Sequence, residues 1–291
     1  MKSHRFPSTA ALTAAAIVVV ILLMGGLALS AAEPADSEQL QAGAGPAFIH
    51  VASPANISGN YTDIDNPASN NRPDAVMQVT ANWAPHSVYN NHPIGVWYHN
   101  NRWSIFNQDL AAMPDQAAFN VQVLKRSRAA FIHSASKANS VGNWTDVSSP
   151  KTNGKPNALV LVTPNWAPRH VYDNHSIGVW YHSKWSIFHQ DGAPIPRKAA
   201  YNVQVLKTGP SAFIHVADPS NSAGNWTDID SAATNARPDA IVIVTQNWAP
   251  HGVYNDHPIG LWYHSGKWSI FNQDLTPIPN QAAFNVHVLY P

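Results

Sequence analysis

Short apolar runs, each closed by Gly, Pro, Asn or Asp, succeed one another along most of the chain, and none continues at helical spacing long enough to make an amphipathic helix. Phe48 to Ala52 and Phe119 to Leu124 alternate or run apolar, as strands do. Ala75 to Thr80 is nearly continuous, and so are its counterparts Ala158 to Thr163 and Ala240 to Thr245, which suits a strand covered on both faces. About six strands are expected in this first stretch: near Phe48, Tyr61 and Val76, a hairpin pair near Val96 and Ile105, and a last one near Val121. With Asn100-Asn101 as the hairpin turn, Tyr98 faces Trp103, Val96 faces Ile105 and Ile94 faces Asn107, which gathers the large apolar side chains on a core face. The opposite face then carries Gly95, Trp97, His99, Arg102, Ser104 and Phe106. In the next copy the turn is one residue shorter, His182-Ser183-Lys184, so Tyr181 and Trp185 stay paired only if the turn type changes.

The pattern occurs three times. Ala47-Phe48-Ile49-His50 returns at Ala130 to His133 and at Ala212 to His215; Asn82-Trp83-Ala84-Pro85 returns at Asn165 to Pro168 and at Asn247 to Pro250. Units of roughly 80 residues are long enough to close a core of their own. The fold expected is therefore all-β, three tandem small antiparallel β-sandwich or barrel domains, at 47–126, 130–208 and 212–291. The links, Lys125 to Ala129 and Lys207 to Ser211, are short and polar, which suggests three beads on a string.

Ahead of the repeats, Lys2, His4 and Arg5 precede an apolar run from Ala10 to Leu29, with small residues around Ala28, Ser30 and Ala32. This is the layout of an export signal, and its length also suffices to span a bilayer. Residues 1–32 are read as a signal peptide or an N-terminal membrane anchor, and 33–46 as a linker. Either way the repeats are expected to be extracellular or at the cell surface, with membrane contact only through that segment if it is uncleaved.

Composition narrows the function. Seventeen basic side chains balance seventeen acidic ones and only 12% of residues are charged, so there is no surplus of Lys and Arg to meet nucleic-acid phosphates. The absence of Cys excludes disulfides, thiol nucleophiles and Cys-based zinc sites. Glu33 and Glu38 precede the first repeat, so the repeats carry Asp as their only carboxylate and lack the Glu of many glycosidases.

The longest irregular stretch of each unit, Asn82 to Pro93 with counterparts Asn165 to Ser176 and Asn247 to Pro258, keeps Trp, Tyr, Asn and His. Such loops are candidates for binding surface, since Trp and Tyr offer flat faces to a sugar ring while Asn and Asp supply donors and acceptors. The candidate ligand-binding residues are Trp83, Tyr89, His92, Trp97, His99 and Asp109; Trp166, Tyr172, His175, Trp180, His182 and Asp191; Trp248, Tyr254, His257, Trp262, His264 and Asp274. In this reading each unit builds a pocket from its own loop, its own hairpin and the Asn107-Gln108-Asp109 end. The competing reading has Trp83 and Pro85 plugging a sandwich end, with Tyr89 and His92 satisfying buried backbone groups. The fifteen His residues show no close ligand spacing such as HExxH, and only two Asp positions recur, so neither a transition-metal nor a calcium site is expected. Ser104, Ser186 and Ser269 recur with His and Asp but lie inside hairpin strands without a GxSxG elbow, so no catalytic residues and no cofactor are assigned.

The motif string from Asn82 to Val121, with NWAP, VYNNHPIGVWYH, RWSIFNQD and QAAFNV, resembles a domain of unknown function found in tandem in exported bacterial proteins. The resemblance spans nearly all of Ala47 to Leu289. It implies an exported bacterial repeat protein and supplies no ligand and no activity. The function expected is a secreted or cell-surface, non-enzymatic, multivalent binder of glycans, with lectin-like sites. A structural or adhesive protein that contacts cell-surface proteins, or a secreted hydrolase using Asp and His, are the alternatives.

Overall fold

The computed structural model describes residues 47–290, so the export segment and linker expected before Ala47 lie outside the described residues. Repeat one contributes β1 (Ala47–Val51), β2 (Ile57–Ser58), β3 (Tyr61–Ile64), β4 (Val76–Asn82), β5 (Ile94–His99), β6 (Arg102–Asn107) and β7 (Ala118–Leu124). Repeat two follows with β8 (Ala130–Ser134), β9 (Ser140–Val141), β10 (Trp144–Val147), β11 (Ala158–Pro164), β12 (Ile177–Tyr181), β13 (Trp185–His189) and β14 (Ala200–Lys207). Repeat three has β15 (Ala212–Val216), β16 (Ser222–Ala223), β17 (Trp226–Ile229), β18 (Ile241–Asn247), β19 (Ile259–His264), β20 (Lys267–Asn272) and β21 (Ala283–Leu289).

The fold is all-β, and each repeat is a small antiparallel sandwich. In repeat one the order β1-β7-β4 makes one sheet and β2-β3-β6-β5 the other. The strand beyond the six expected is the two-residue β2, too short to leave a hydrophobic period in the sequence. The hairpin has the register read from the sequence: Tyr98 opposite Trp103, Val96 opposite Ile105, Ile94 opposite Asn107. Asn100 and Asn101 both take positive φ, as a tight primed turn requires. In repeat two Tyr181 and Trp185 remain paired across a different turn, with only Ser183 at positive φ. Between the two sheets Met77, Val79, Phe119 and Val121 meet Val96, Trp103 and Ile105 in a closed core, and the other repeats build the same core from equivalent positions.

The repeats do not stand apart as beads. The end of β4 runs parallel to β19, with Gly260 beside Ala81 and Leu261 beside Asn82. In the same way β18 runs parallel to β12, and Asn165 at the end of β11 bridges Val96 on β5. Repeat one therefore leans on repeat three, three on two, and two on one, which closes a ring about a pseudo-three-fold axis. The second face of the apolar runs explains this. In β4 Met77, Val79 and Ala81 point into the repeat's own core, while Val76, Gln78, Thr80 and Asn82 on the other face are just as buried. Their partners belong to the other repeats. Thr80 Oγ1 accepts from the Val244 amide, Thr245 Oγ1 from Val162, and Thr163 Oγ1 from Val79, each within 3.0 Å. Asn120, Asn202 and Asn285 donate to the carbonyls of Val242, Met77 and Val160 in the same cyclic order. Elsewhere along the axis the contact is apolar, through Leu159, Leu161, Ile241, Ile243 and Leu289.

Candidate functional site: aromatic pockets at the repeat junctions

The ring decides where the aromatic loop goes. On leaving β4, β11 or β18, the chain passes directly onto the neighbouring repeat, and the amides of Trp83, Trp166 and Trp248 donate to Leu261, Val96 and Val179 of that neighbour. Each loop is then clamped by a glutamine from the neighbour's hairpin end. Gln108 accepts from the Asp173 amide and donates to its carbonyl; Gln273 does both to Asn90; Gln190 accepts from the Asn255 amide. These side chains are nearly fully buried, so the Gln108 and Gln273 clamps each replace water for two backbone groups and Gln190 does so for one.

The result is a concavity at every junction, made by two repeats. Trp166 and Tyr172 of repeat two face Asn60, Tyr61, Trp97 and Phe106 of repeat one. Trp248 and Tyr254 of repeat three face Asn143, Trp144, Trp180 and Phe188 of repeat two. Trp83 and Tyr89 of repeat one face Asn225, Trp226, Trp262 and Phe271 of repeat three. The cavities measure about 50, 190 and 170 Å³ respectively. The tryptophan pairs across the junctions meet edge to face, with centroids 5.4 to 5.6 Å apart. Tyr89, Tyr172 and Tyr254 stand at the rim, about half exposed. The floor is set by a glycine: a Cβ at Gly95, Gly178 or Gly260 would come within 2.8 Å of the phenyl ring of Phe106, Phe188 or Phe271, which lies across that backbone.

Polar groups are sparse in the pockets. Asn60, Asn143 and Asn225 each donate through Nδ2 to the end of the hairpin, at Asn107, His189 and Asn272, which leaves Oδ1 as an acceptor. The indole N–H of Trp83, Trp166 and Trp248 has no hydrogen-bond partner at any of the three junctions. Buried donors are normally paired, and this exception is the same at all three junctions.

The candidate residues thus divide. Trp83, Tyr89 and Trp97, with Trp166, Tyr172, Trp180, Trp248, Tyr254 and Trp262, line the pockets, but the loop pairs contribute to the neighbour's hairpin rather than to their own. The pocket expected within one unit is replaced by one shared between two, because β4 ends against the next repeat. His99, His182 and His264 lie behind the wall, stacked on Trp97, Trp180 and Trp262 at 3.7 to 4.3 Å. His92, His175 and His257 line a different cavity, on the axis, together with Thr80, Thr163 and Thr245. Each of these rings is held through Nδ1 by Asp109, Asp191 or Asp274 at 2.6 Å. Partial burial by itself raises the Asp191 and Asp274 carboxyls, yet the amides of Ala193 and Thr276 and the paired rings outweigh it and hold both below the usual range. Tyr61, Trp144 and Trp226, together with the Phe and Asn stations, complete the pockets without having been singled out from the sequence. The recurring aromatic after Asn60, Asn143 and Asn225 was the available signal.

Ser, His and Asp do come together in each repeat. His99 Nε2 lies 2.8 Å from Ser104 Oγ and 3.0 Å from Asp63 Oδ1, and Ser104 itself donates to Asp63. A relay needs the base between nucleophile and carboxylate, on opposite ring nitrogens. Here one nitrogen faces both, and Ser104 is fully buried, so the triangle braces Trp97 from behind.

A model of a domain of unknown function (DUF7452) matches three times, over residues 39–123, 101–205 and 182–288. The chain belongs to this DUF7452 family. No curated protein matches it.

Proposed function

We propose that this protein is an exported, non-enzymatic, multivalent carbohydrate-binding protein whose sugar sites are the three junction pockets. The observation that carries the reading is that one solvent-open aromatic concavity recurs at each junction, assembled from the same stations of two repeats. Flat indole and phenol faces suit the C–H face of a pyranose ring. The Asn oxygen is an acceptor for its hydroxyls. No Lys, Arg or Asp lines the pockets, which favours neutral sugars. Three weak sites on one rigid ring raise the avidity for a repetitive glycan through effective concentration. Export rests on Lys2, Arg5 and the apolar run that follows them.

The test is a glycan array probed with the chain from residue 33 onward. An isolated repeat is unsuitable, since it carries half of two sites. Binding to neutral glycans that falls in the Trp97→Ala, Trp180→Ala and Trp262→Ala triple variant supports the reading; silence across the array with wild-type protein refutes it.

A further inference from the structure

We propose that the residue after the pocket asparagine, Tyr61, Trp144 or Trp226, sets the size and the sugar affinity of each junction, so that the three sites are graded. The inference rests on the junction pockets being sugar sites and deepens that reading. The junctions walled by Trp144 and Trp226 take a neutral pyranose ring first, and the junction walled by Tyr61 takes it only at higher concentration.

Five of the six lining stations carry the same residue type at every junction: Asn60, Trp97, Phe106, Trp166 and Tyr172 at the first have identical counterparts at the other two. The sixth differs. It is Tyr61 where repeat two meets repeat one, Trp144 where three meets two, and Trp226 where one meets three. The cavity beside Tyr61 measures about 50 Å³, under a third of the 190 and 170 Å³ beside the two tryptophans. Ring positions agree with the volumes. Tyr61 lies 5.3 Å from Trp97, centroid to centroid, whereas Trp144 lies 5.9 Å from Trp180 and Trp226 lies 5.8 Å from Trp262, all edge to face. The phenol is both a smaller wall and a closer one, so it leaves a sugar ring less room and less flat aromatic surface.

A tight pocket could still widen if its loop tryptophan swung aside, and at the first junction that movement is opposed. His170 stacks on Trp166 with centroids 4.2 Å apart and planes at 24°. It is not among the residues lining the pocket, so it backs the indole from outside. The same turn carries Ser87 in repeat one and Gly252 in repeat three: the amides of Ser87, His170 and Gly252 donate to the carbonyls of Trp83, Trp166 and Trp248. Position 252 also lies against the indole, since an added Cβ would stand 3.3 Å from a ring carbon of Trp248. Trp166 is therefore pinned between Trp97 and His170, whereas Gly252 offers Trp248 no such backing. Small volume and restricted widening fall at the same junction.

The test is a proton–nitrogen correlation NMR titration of the chain from residue 33, in which the indole N–H signals of Trp83, Trp166 and Trp248 report one junction each. The probes are the methyl pyranosides of glucose, galactose, mannose and N-acetylglucosamine. The Trp83 and Trp248 signals are expected to saturate together, and the Trp166 signal to need about fivefold more sugar, in keeping with the worth of one aromatic contact. Tyr61→Trp should tighten the site reported by Trp166 about threefold, and Trp226→Tyr should weaken the site reported by Trp83 by a similar factor while leaving Trp248 unchanged. Each variant installs a residue that a sister repeat already carries at that station. Equal affinity at the three junctions, a reversed order, or a Trp166 midpoint unmoved by Tyr61→Trp would overturn the grading and leave the sugar sites standing. No shift of any of the three signals with any probe would overturn both. The wild-type titration can refute the grading by itself, so a poorly folding variant does not leave the matter open.

Discussion

Trp166 of repeat two meets Trp97 of repeat one edge to face, with ring centroids 5.4 Å apart and the planes at 77°. The pair joins two repeats and walls a pocket, so its loss should be felt in both properties. Trp166→Ala removes a large aromatic from one junction and should cost about 3 kcal/mol of stability. It should also reduce the number of sugars bound per chain from three to two, read by native mass spectrometry with a ligand taken from the array. Three retained sites would detach the pockets from sugar binding.

The glycine under each phenyl ring gives a sharper test. At Gly178 an added Cβ lies 2.7 and 2.8 Å from two ring atoms of Phe188, so the ring must move. Gly178→Ala is expected to lower stability by about 1 to 3 kcal/mol and to disturb the Tyr254 side of its pocket. Gly192→Ala is a poor control, since Gly192 has φ of 76°; Ala111→Ser, on the surface loop, serves better. Chemical denaturation of each variant measures the difference.

Acid should loosen the ring. Burial pushes the imidazoles of His50, His133, His215 and His287 down to about 4 from 6.5. Between those values the unfolded chain takes up protons that the folded chain refuses, so stability is fully present above about pH 6.5 and is lost as pH falls toward 4. Each ring contributes at most about 3 kcal/mol to that loss, from 1.36 kcal/mol per unit. Urea midpoints at pH 7 and pH 5 should differ, and His287→Gln should reduce the difference. Equal midpoints for wild type and variant at both pH values would contradict this.

Repeat two carries a buried polar trio where its sisters carry another set. Asp173 accepts from the Tyr201 hydroxyl at 2.6 Å and lies 2.7 Å from His189. Repeats one and three instead pair Asn90 with Asn107 and Asn255 with Asn272, beside Phe119 and Phe284. Asp173→Asn alone should cost about 1 to 3 kcal/mol, because it weakens the charge-assisted bond from Tyr201 and removes the buried carboxylate beside His189. Adding His189→Asn and Tyr201→Phe should recover most of that loss in the same denaturation assay; no recovery would show that the sets are not interchangeable.

Gln122 is fully buried, and neither its Oε1 nor its Nε2 has a hydrogen-bond partner. Replacing it by the near-isosteric Met removes both unmet groups. Gln122→Met should therefore raise stability by about 1 to 3 kcal/mol, and a lower melting temperature would refute the prediction.

The strands and the hairpin register were legible because alternation and turn residues are local properties. Tyr98 against Trp103 follows from counting outward from Asn100-Asn101. The ring was not legible in that way, although one sign of it was present: Ala158 to Thr163 and Ala240 to Thr245 are apolar on both faces, and one sandwich can cover only one of them. Which neighbour covers the other depends on pairings such as Ala81 with Gly260, far apart along the chain. The pockets were half legible for the same reason. Trp83, Tyr89 and Trp97 were identifiable as a kind of surface, but the loop and the hairpin that meet come from different repeats.

Closing the ring also dictates the order in which a growing chain can reach its final form. The first two repeats leave the ribosome with the free edge of β4 and the free edge of β12 both awaiting partners that only repeat three supplies. Bonds such as Thr80 with Val244 and Asn90 with Gln273 span 164 and 183 residues and cannot form until synthesis is nearly complete. Repeat three is the keystone. A chain cut short within it would display two unpaired strand edges, and its fate would be clumping with its own kind rather than a milder version of the full-length protein.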